Sequence, residues 1–503
     1  MDNKAAYHRW IQTKNPVDGL PEEVYHDLNV DDLFEGVDYT VSYVGKQYLY
    51  HLLCTDGVSE VAAYEKVIGW LAEKEELRDK WLNVLKPLAN PDASSIVDLL
   101  AEDEHVYSSR YLFLLQVCRW LPLLFAGMML IFPSSPIPFI LLLAAYIGNA
   151  VIHFREKNKL LGYFFSIPQL RYLLVVTEKL SAEKVFVGID ESIPSVVSRL
   201  AGLKRRLDIF RFGLKLEGEG AMLAYLFTEF FHIFFLSATV NVIASFRALA
   251  DKREDIAREF RFVGLLDTLY SVACLRSELP YWCHPSSTAA EGIRVEDICH
   301  PLITGCVANS LSLSNKSMLL TGSNMSGKTS FIRTIAVNLI MAKAMNTCYA
   351  LRFEMDLSLR LYSVIHTEDN LLEGKSYFFK EAENVKRALE KGMQGGYLLV
   401  FDELFKGTNT VERIAVNASV FASLAARGNW VLASTHDLKL ADLLKGDFEL
   451  YHFCETVEGG RLSFDYKLKP GLVREGNAIK ILQLCGYPKP IVNKALQISG
   501  SLL

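Results

Sequence analysis

Gly322-Ser323-Asn324-Met325-Ser326-Gly327-Lys328-Thr329 is a complete G-x-x-x-x-G-K-[ST] string. It restricts the possible folds more than any other stretch of the chain. Its glycines let successive backbone N–H groups turn inward around an anion, a conformation that side chains resist. Such a loop belongs between a buried strand and a helix whose N-terminus adds a positive dipole end. Both neighbours are present, because Met318-Leu319-Leu320 is an apolar run and Phe331 to Ala344 reads as helix. Residues Gly322 to Ser330 would cradle phosphates, Lys328 would reach the β- and γ-phosphates of a nucleotide, and the Thr329 hydroxyl would ligate Mg²⁺.

Three further elements follow in the same segment. Leu398-Leu399-Val400-Phe401-Asp402-Glu403 ends an apolar strand with two carboxylates. A parallel α/β sheet opens its ligand crevice at that end of its strands. Asp402 would hold Mg²⁺ through water, and Glu403 is the natural base or water-positioner for hydrolysis. Trp430 to Ala433 reads as another buried strand, followed by Ser434-Thr435-His436, where His436 could sense a γ-phosphate. Gly374-Lys375-Ser376 opens a helix before Glu381, and Ser376 could donate to a phosphate or serve as an ordinary helix cap.

The 503 residues suggest roughly three domains. Lys+Arg 53 against Asp+Glu 58 gives a net charge of −5, which excludes a protein that coats nucleic acid by bulk charge. Half of the residues are hydrophobic and 22% are charged, so large cores can form. The mean hydropathy of +0.17 is high for a wholly soluble chain. The nine cysteines are scattered, odd in number and without a C-x-x-C pair, so neither disulfides nor a zinc module is expected. Met1 to Trp10 is polar, and no cleavable signal peptide is expected.

The hydropathy has a local source. Between Arg119 and His153 lie 33 residues without a charge. Trp120 to Phe132 and Ile137 to Ile152 are apolar blocks, and Pro133-Ser134-Ser135-Pro136 is the turn between them. A span of ~20 residues is reached if the first block starts near Leu112 and Arg119 snorkels. Arg110, Arg119, Arg155, Lys157 and Lys159 flank the outer ends and the turn carries no charge, the pattern of a membrane hairpin with both ends in the cytoplasm. The alternative is a hairpin buried in a large core.

The rest of the first half reads as soluble helix. Val61 to Lys86 has helical spacing and stops at Pro87. Ala221 to Phe246, with Glu229, His232 and Asn241, reads as a buried helix rather than a third span. The expected division is 1–110 helical core, 111–153 apolar hairpin, 154–285 helical core or lever, and 290–503 a P-loop domain, an α plus α/β architecture.

Taken together, these residues resemble the ATPase domain of the MutS mismatch-repair family, within the wider ABC class. The carriers are Thr321 to Ser330, Gly374-Lys375-Ser376-Tyr377-Phe378 with Glu381, Asp402-Glu403-Leu404-Phe405-Lys406-Gly407-Thr408-Asn409-Thr410, and Ser434-Thr435-His436. His300-Pro301, Val307-Ala308-Asn309, Tyr466 to Gly471, Gly476 to Ile479 and Leu484 to Pro488 extend the likeness over about 290–500. Thr40 to Leu53 and Leu265 to Leu275 resemble the family's helical core. The resemblance implies ATP with Mg²⁺, hydrolysis, and paired ATPase domains in which Ser376 acts on the partner's ATP and His436 reads the γ-phosphate.

Departures from the family pattern are also visible. Core-like sequence starts near residue 30, so mismatch-reading and connector domains are not expected here. Cys306 stands where an adenine-stacking aromatic is usual. The apolar hairpin is foreign to the repair enzymes. Two functions are therefore expected in competition. One is an ATP-gated DNA-binding clamp without direct mismatch reading. The other is a cytoplasmic ATPase anchored to the inner face of the cell membrane, a switch acting on a protein partner.

Overall fold

The computed structural model describes residues 3–502 apart from 15, 17, 102–107, 165, 184–185, 187, 209–220, 288–291, 324, 366–376, 459–460 and 473–485. Its contacts divide the chain into two compact units. The first is Met1–Pro16, Tyr39–His51 and Tyr64–Ala273; the second is Val17–Asp38, Leu52–Ala63 and Cys274–Leu503.

Helices come first along the chain: α1 (Ala6–Lys14), α2 (Glu22–Asp27), α3 (Val30–Val37), α4 (Tyr43–Leu53), α5 (Glu65–Glu73), α6 (Glu75–Leu85), α7 (Ser109–Ile131), α8 (Ile137–Phe164), α9 (Ser166–Ser181), α10 (Ile193–Asp208), α11 (Ala221–Phe234), α12 (Ser237–Ala250) and α13 (Arg253–Glu278). The single helix expected over 61–86 is a 3₁₀ turn followed by α5 and α6, with extended backbone at Lys74. The apolar stripe is interrupted there, because Glu73-Lys74-Glu75-Glu76 has nothing to bury.

In the first unit Tyr7 stacks on Phe260 at 4.7 Å and Trp81 meets Phe186 edge-on at 4.9 Å. The two stretches with family-like sequence meet here. The buried Asp267 carboxylate of α13 accepts from the Val41 and Ser42 amides and the Ser42 hydroxyl, at 3.0, 2.8 and 2.6 Å, and so caps α4. Gly45 faces it so closely that a Cβ would lie 2.2 Å from Asp267 Oδ2.

The apolar blocks form α7 and α8, which pack together; Ser109–Ile131 and Ile137–Glu156 are both long and apolar enough to cross a membrane. The segment expected as one buried helix differs from that reading in two ways. It is broken into α11 and α12 at Phe235 and Leu236, and Phe227, Phe230 and Phe231 are 67%, 46% and 41% exposed. Aromatic residues around the whole circumference of α11 cannot all face inward, and Leu236 takes a left-handed φ of 44° that ends the helical ladder.

The second unit adds β1 (Pro285–Ser286), β2 (Ile293–Ile298), β3 (Asn309–Leu313), β4 (Ser317–Thr321), α14 (Lys328–Met345), β5 (Arg352–Glu354), β6 (Arg360–Val364), α15 (Tyr377–Gly392), β7 (Tyr397–Asp402), α16 (Thr410–Ala425), β8 (Trp430–Thr435), α17 (Leu438–Leu444), β9 (Phe448–His452), β10 (Glu455–Glu458), β11 (Arg461–Phe464), β12 (Lys469–Pro470) and α18 (Lys489–Leu502). The main sheet runs β12-β9-β4-β8-β7-β6, parallel except for β12. Strands β4, β7 and β8 are apolar runs because both of their faces are covered. A smaller sheet runs β1-β5-β2-β3, and β10 pairs with β11.

Two N-terminal segments belong to this unit. α2 packs on the edge strand β6, where buried Asp27 accepts from Ser363 Oγ at 2.7 Å and Ile365 N at 2.9 Å. Buried Lys343 of α14 is paired with Asp56 at 2.6 Å and also donates to the Leu359 carbonyl. These contacts leave the C-terminal ends of β4, β7 and β8 clear for the candidate site.

Candidate nucleotide site at the carboxyl ends of the central strands

The phosphate-loop string leaves β4 and enters α14. Gly322, Met325 and Gly327 all have positive φ, at 145°, 71° and 105°. A Cβ on Gly322 would lie 2.6 Å from the Phe453 carbonyl, so glycine is required there. Ser326 Oγ donates to Ser323 O at 2.8 Å, and Ser323 Oγ to Glu455 at 2.6 Å, which pins the loop from two sides. Met325 projects outward and is 83% exposed. Ser330 follows Thr329 in the first turn of α14 and its carbonyl accepts from Thr334. Asn324 and Ser376 lie outside the described residues.

The charged groups converge across the strand ends. The buried Lys328 ammonium donates to Gly322 O and Ser323 O, each at 2.8 Å, and is 3.1 Å from Glu403 Oε1. Thr329 Oγ1 is 2.8 Å from Asp402 Oδ2, while Ser434 Oγ bonds the other oxygen of Asp402. Strand β8 lies between β4 and β7, which is how Ser434 comes beside Asp402. Glu403 Oε2 is 3.1 Å from Lys406 and 3.5 Å from His436 Nδ1. Burial alone would raise the Glu403 pKa, but the His436 hydrogen bond and the charges of Lys328 and Lys406 outweigh it and hold the carboxyl well below its usual range. Glu403 also carries a positive φ of 47°, as does Phe405 at 61°, so the backbone past β7 is strained. The Phe405 amide is held by buried Glu381 at 2.7 Å.

The sequence reading assigned no role to Lys406, Arg413, Asp437 or Tyr466. Arg413 of α16 grips Asp437 through two bonds of 2.8 and 2.9 Å and touches His436 Nε2 at 3.4 Å, so it orients the histidine from behind. Only the packing of α16 on α17 joins residues 24 positions apart. Tyr466 has φ 50°, leans on Phe464 at 5.8 Å, and lies where a Cβ on Gly327 would come 3.3 Å from its ring. Its carbonyl accepts from Asn309 at 3.0 Å. A cavity of about 650 Å³ is lined by Ile303, Cys306, Val307, Lys328, Asp402, Glu403 and Tyr466, among others. Its apolar wall and charged floor suit a ligand with a flat ring at one end and an anion at the other.

Comparison with known proteins agrees with the geometry. Residues 318–503, from β4 onward, match the family model MutS domain V. The DNA mismatch repair protein MutS of Desulfovibrio desulfuricans is 28% identical over 268 residues, 50% of this chain and 29% of that protein. The DNA mismatch repair protein MutS of Thermus thermophilus is 28% identical over 266 residues, 52% of this chain and 32% of that protein. That of Natronomonas pharaonis is 26% identical over 263 residues, covering 50% and 30%. The chain thus spans less than a third of the length of these curated relatives. The phosphate loop, the Asp402-Glu403 pair and the Ser434-Thr435-His436 strand end all fall within the matched segment, so residues 318–503 are similar to MutS domain V and carry its likeness to the mismatch repair proteins.

Proposed function

We propose that the second unit binds ATP and hydrolyses it with Mg²⁺. The observation that carries this reading is the convergence of Lys328 and Thr329, at the start of α14, with Asp402 and Glu403, at the end of β7, on one cavity. Lys328 rests among carbonyl oxygens and a carboxylate, partners that a phosphate can replace. Thr329 and Asp402 present adjacent hard oxygens, the donor set for Mg²⁺. The metal would neutralise phosphate charge in the transition state. Gly322 to Ser330 would cradle the phosphates and Tyr466 would offer a ring face to the base. His436 would read the γ-phosphate, and Glu403 would orient or deprotonate the attacking water. Glu403 gains basicity when Lys328 moves to another anion, and a phosphate is such an anion. Ser376 of a second copy would complete the site, which makes a dimer through the ATPase domains part of the proposal.

The curated relatives are named as DNA mismatch repair proteins. An ATP-gated DNA-binding clamp without direct mismatch reading is the corresponding proposal for this chain. One observation favours a second reading, a membrane-tethered ATP-dependent switch on a protein partner. α7 and α8 are inverted in polarity, with Leu124, Leu130, Ile140 and Val151 outward at 58%, 86%, 60% and 62% and Asn149, His153 and Glu156 buried. A bilayer rewards that arrangement and water does not. The ATPase proposal is tested with Lys328→Ala, which should abolish equilibrium binding of a fluorescent ATP analogue while leaving the far-ultraviolet circular dichroism unchanged. Retained affinity in that variant would refute it.

A further inference from the structure

The inverted polarity continues beyond the hairpin. Phe227, Phe230 and Phe231 of α11 point outward, whereas Glu229 and His232 point to α8 and α12. His153 of α8 lies 3.2 Å from Glu229 of α11 and 3.1 Å from Thr239 of α12. Asn149, one turn before His153, donates to Phe234 O at 3.1 Å and Cys118 O at 3.3 Å. His232 and Ser237 bond across the break at 2.8 Å. A broken helix can sit at membrane depth only where the protein satisfies the freed backbone groups. Asn149 does this for Phe234, the last residue of α11.

The order of the contacts gives a direction. As α11 proceeds from Glu229 to Phe234, its partners on α8 move from His153 back to Asn149. Both outer ends of the hairpin are basic, so Glu156 marks the cytoplasmic end of α8 in the membrane reading. Asn149 is seven residues inside that end, about 10 Å at 1.5 Å per residue. α11 and α12 have 14 residues each, about 21 Å, which is too short to cross a core of about 30 Å.

We propose that α11 and α12 form a re-entrant helical hairpin that dips about 10 Å into the cytoplasmic leaflet, presenting Phe230 and Phe231 to acyl chains and held by the seam of Asn149, His153, Glu229 and Thr239. This inference rests on the membrane reading of α7 and α8. The occupant of the exposed phenylalanine face is lipid, since Glu229 and His232 are turned inward and the exposed apolar surface continues that of α8: Phe230 packs on Tyr146 at 5.5 Å.

The test uses full-length protein reconstituted in phosphatidylcholine vesicles, with p-benzoylphenylalanine in place of Phe231, of Phe113 on α7 or of Phe139 on α8. After irradiation, mass spectrometry reads the adducts. Acyl-chain adducts from all three positions are expected. Adducts from 113 and 139 with none from 231, or a protein adduct at 231 instead of lipid, would overturn the re-entrant hairpin and leave the spanning pair intact. No lipid adduct from any position would overturn both.

Discussion

Glu403 sits between two lysines and an imidazole, with its charge held by all three. Glu403→Gln keeps the shape and removes the basicity. Turnover should fall by roughly 10²- to 10⁴-fold with nucleotide affinity changed only a few-fold, and steady-state hydrolysis beside equilibrium binding checks both. Unchanged turnover would remove Glu403 from the mechanism. His300 makes a different prediction. Its Nδ1 accepts from the Leu302 amide at 3.2 Å, and burial with the nearby Arg333 charge lowers its pKa from 6.5 to about 4. The fold therefore selects the neutral ring. Its contribution is complete above pH 6.5 and is lost as the pH falls towards 4, with about 2 kcal/mol lost between pH 7 and pH 5. Urea unfolding at those two pH values should show this loss in the wild type and a smaller one in His300→Gln. Equal losses would exclude His300 as the source.

At the scale of elements, the close approach of α4 and α13 is the sharpest packing constraint in the first unit. Asp267 cannot retreat from Gly45, because three donors hold it. Gly45→Ala should cost about 2 kcal/mol by overpacking. Gly69→Ala in α5, where nothing lies within 4 Å of the added methyl, should be neutral or slightly stabilising. Thermal melts of the two variants check the pair, and similar shifts would refute the packing argument. The central strands were legible in advance, since β4, β7 and β8 contain the apolar runs Met318 to Leu320, Tyr397 to Phe401 and Trp430 to Ala433, each running into a recognisable polar motif. The interruption at Lys74 and the break at Leu236 were not, because spacing reports a helical period but not where a neighbouring element ends it. The outward face of α11 is not legible in the sequence for a related reason: hydrophobicity alone does not say what covers a side chain.

For the whole molecule, DNA and membrane give separable expectations. A DNA clamp should bind duplex DNA with an affinity that falls steeply between 50 and 200 mM salt, and its ATPase rate should respond to DNA. A membrane-tethered switch should stay with the membrane pellet through an alkaline carbonate wash, and its ATPase rate should ignore DNA. Recovery of all the protein in the wash would defeat the tether, and an absence of DNA binding at moderate salt would defeat the clamp. The sequence by itself determined the phosphate loop, the acidic strand end and the uncharged hairpin, because each is local: a turn geometry, a strand terminus, a run of side chains. Only the tertiary structure decided what these features meet. It brought Ser434 to Asp402 and Arg413 to His436 and Asp437, set Tyr466 over Gly327, joined α2 to β6, and aligned Asn149 and His153 with α11 and α12. Those partners lie tens to hundreds of residues apart, and sheet order and helix packing, rather than any local spacing, bring them within bonding distance.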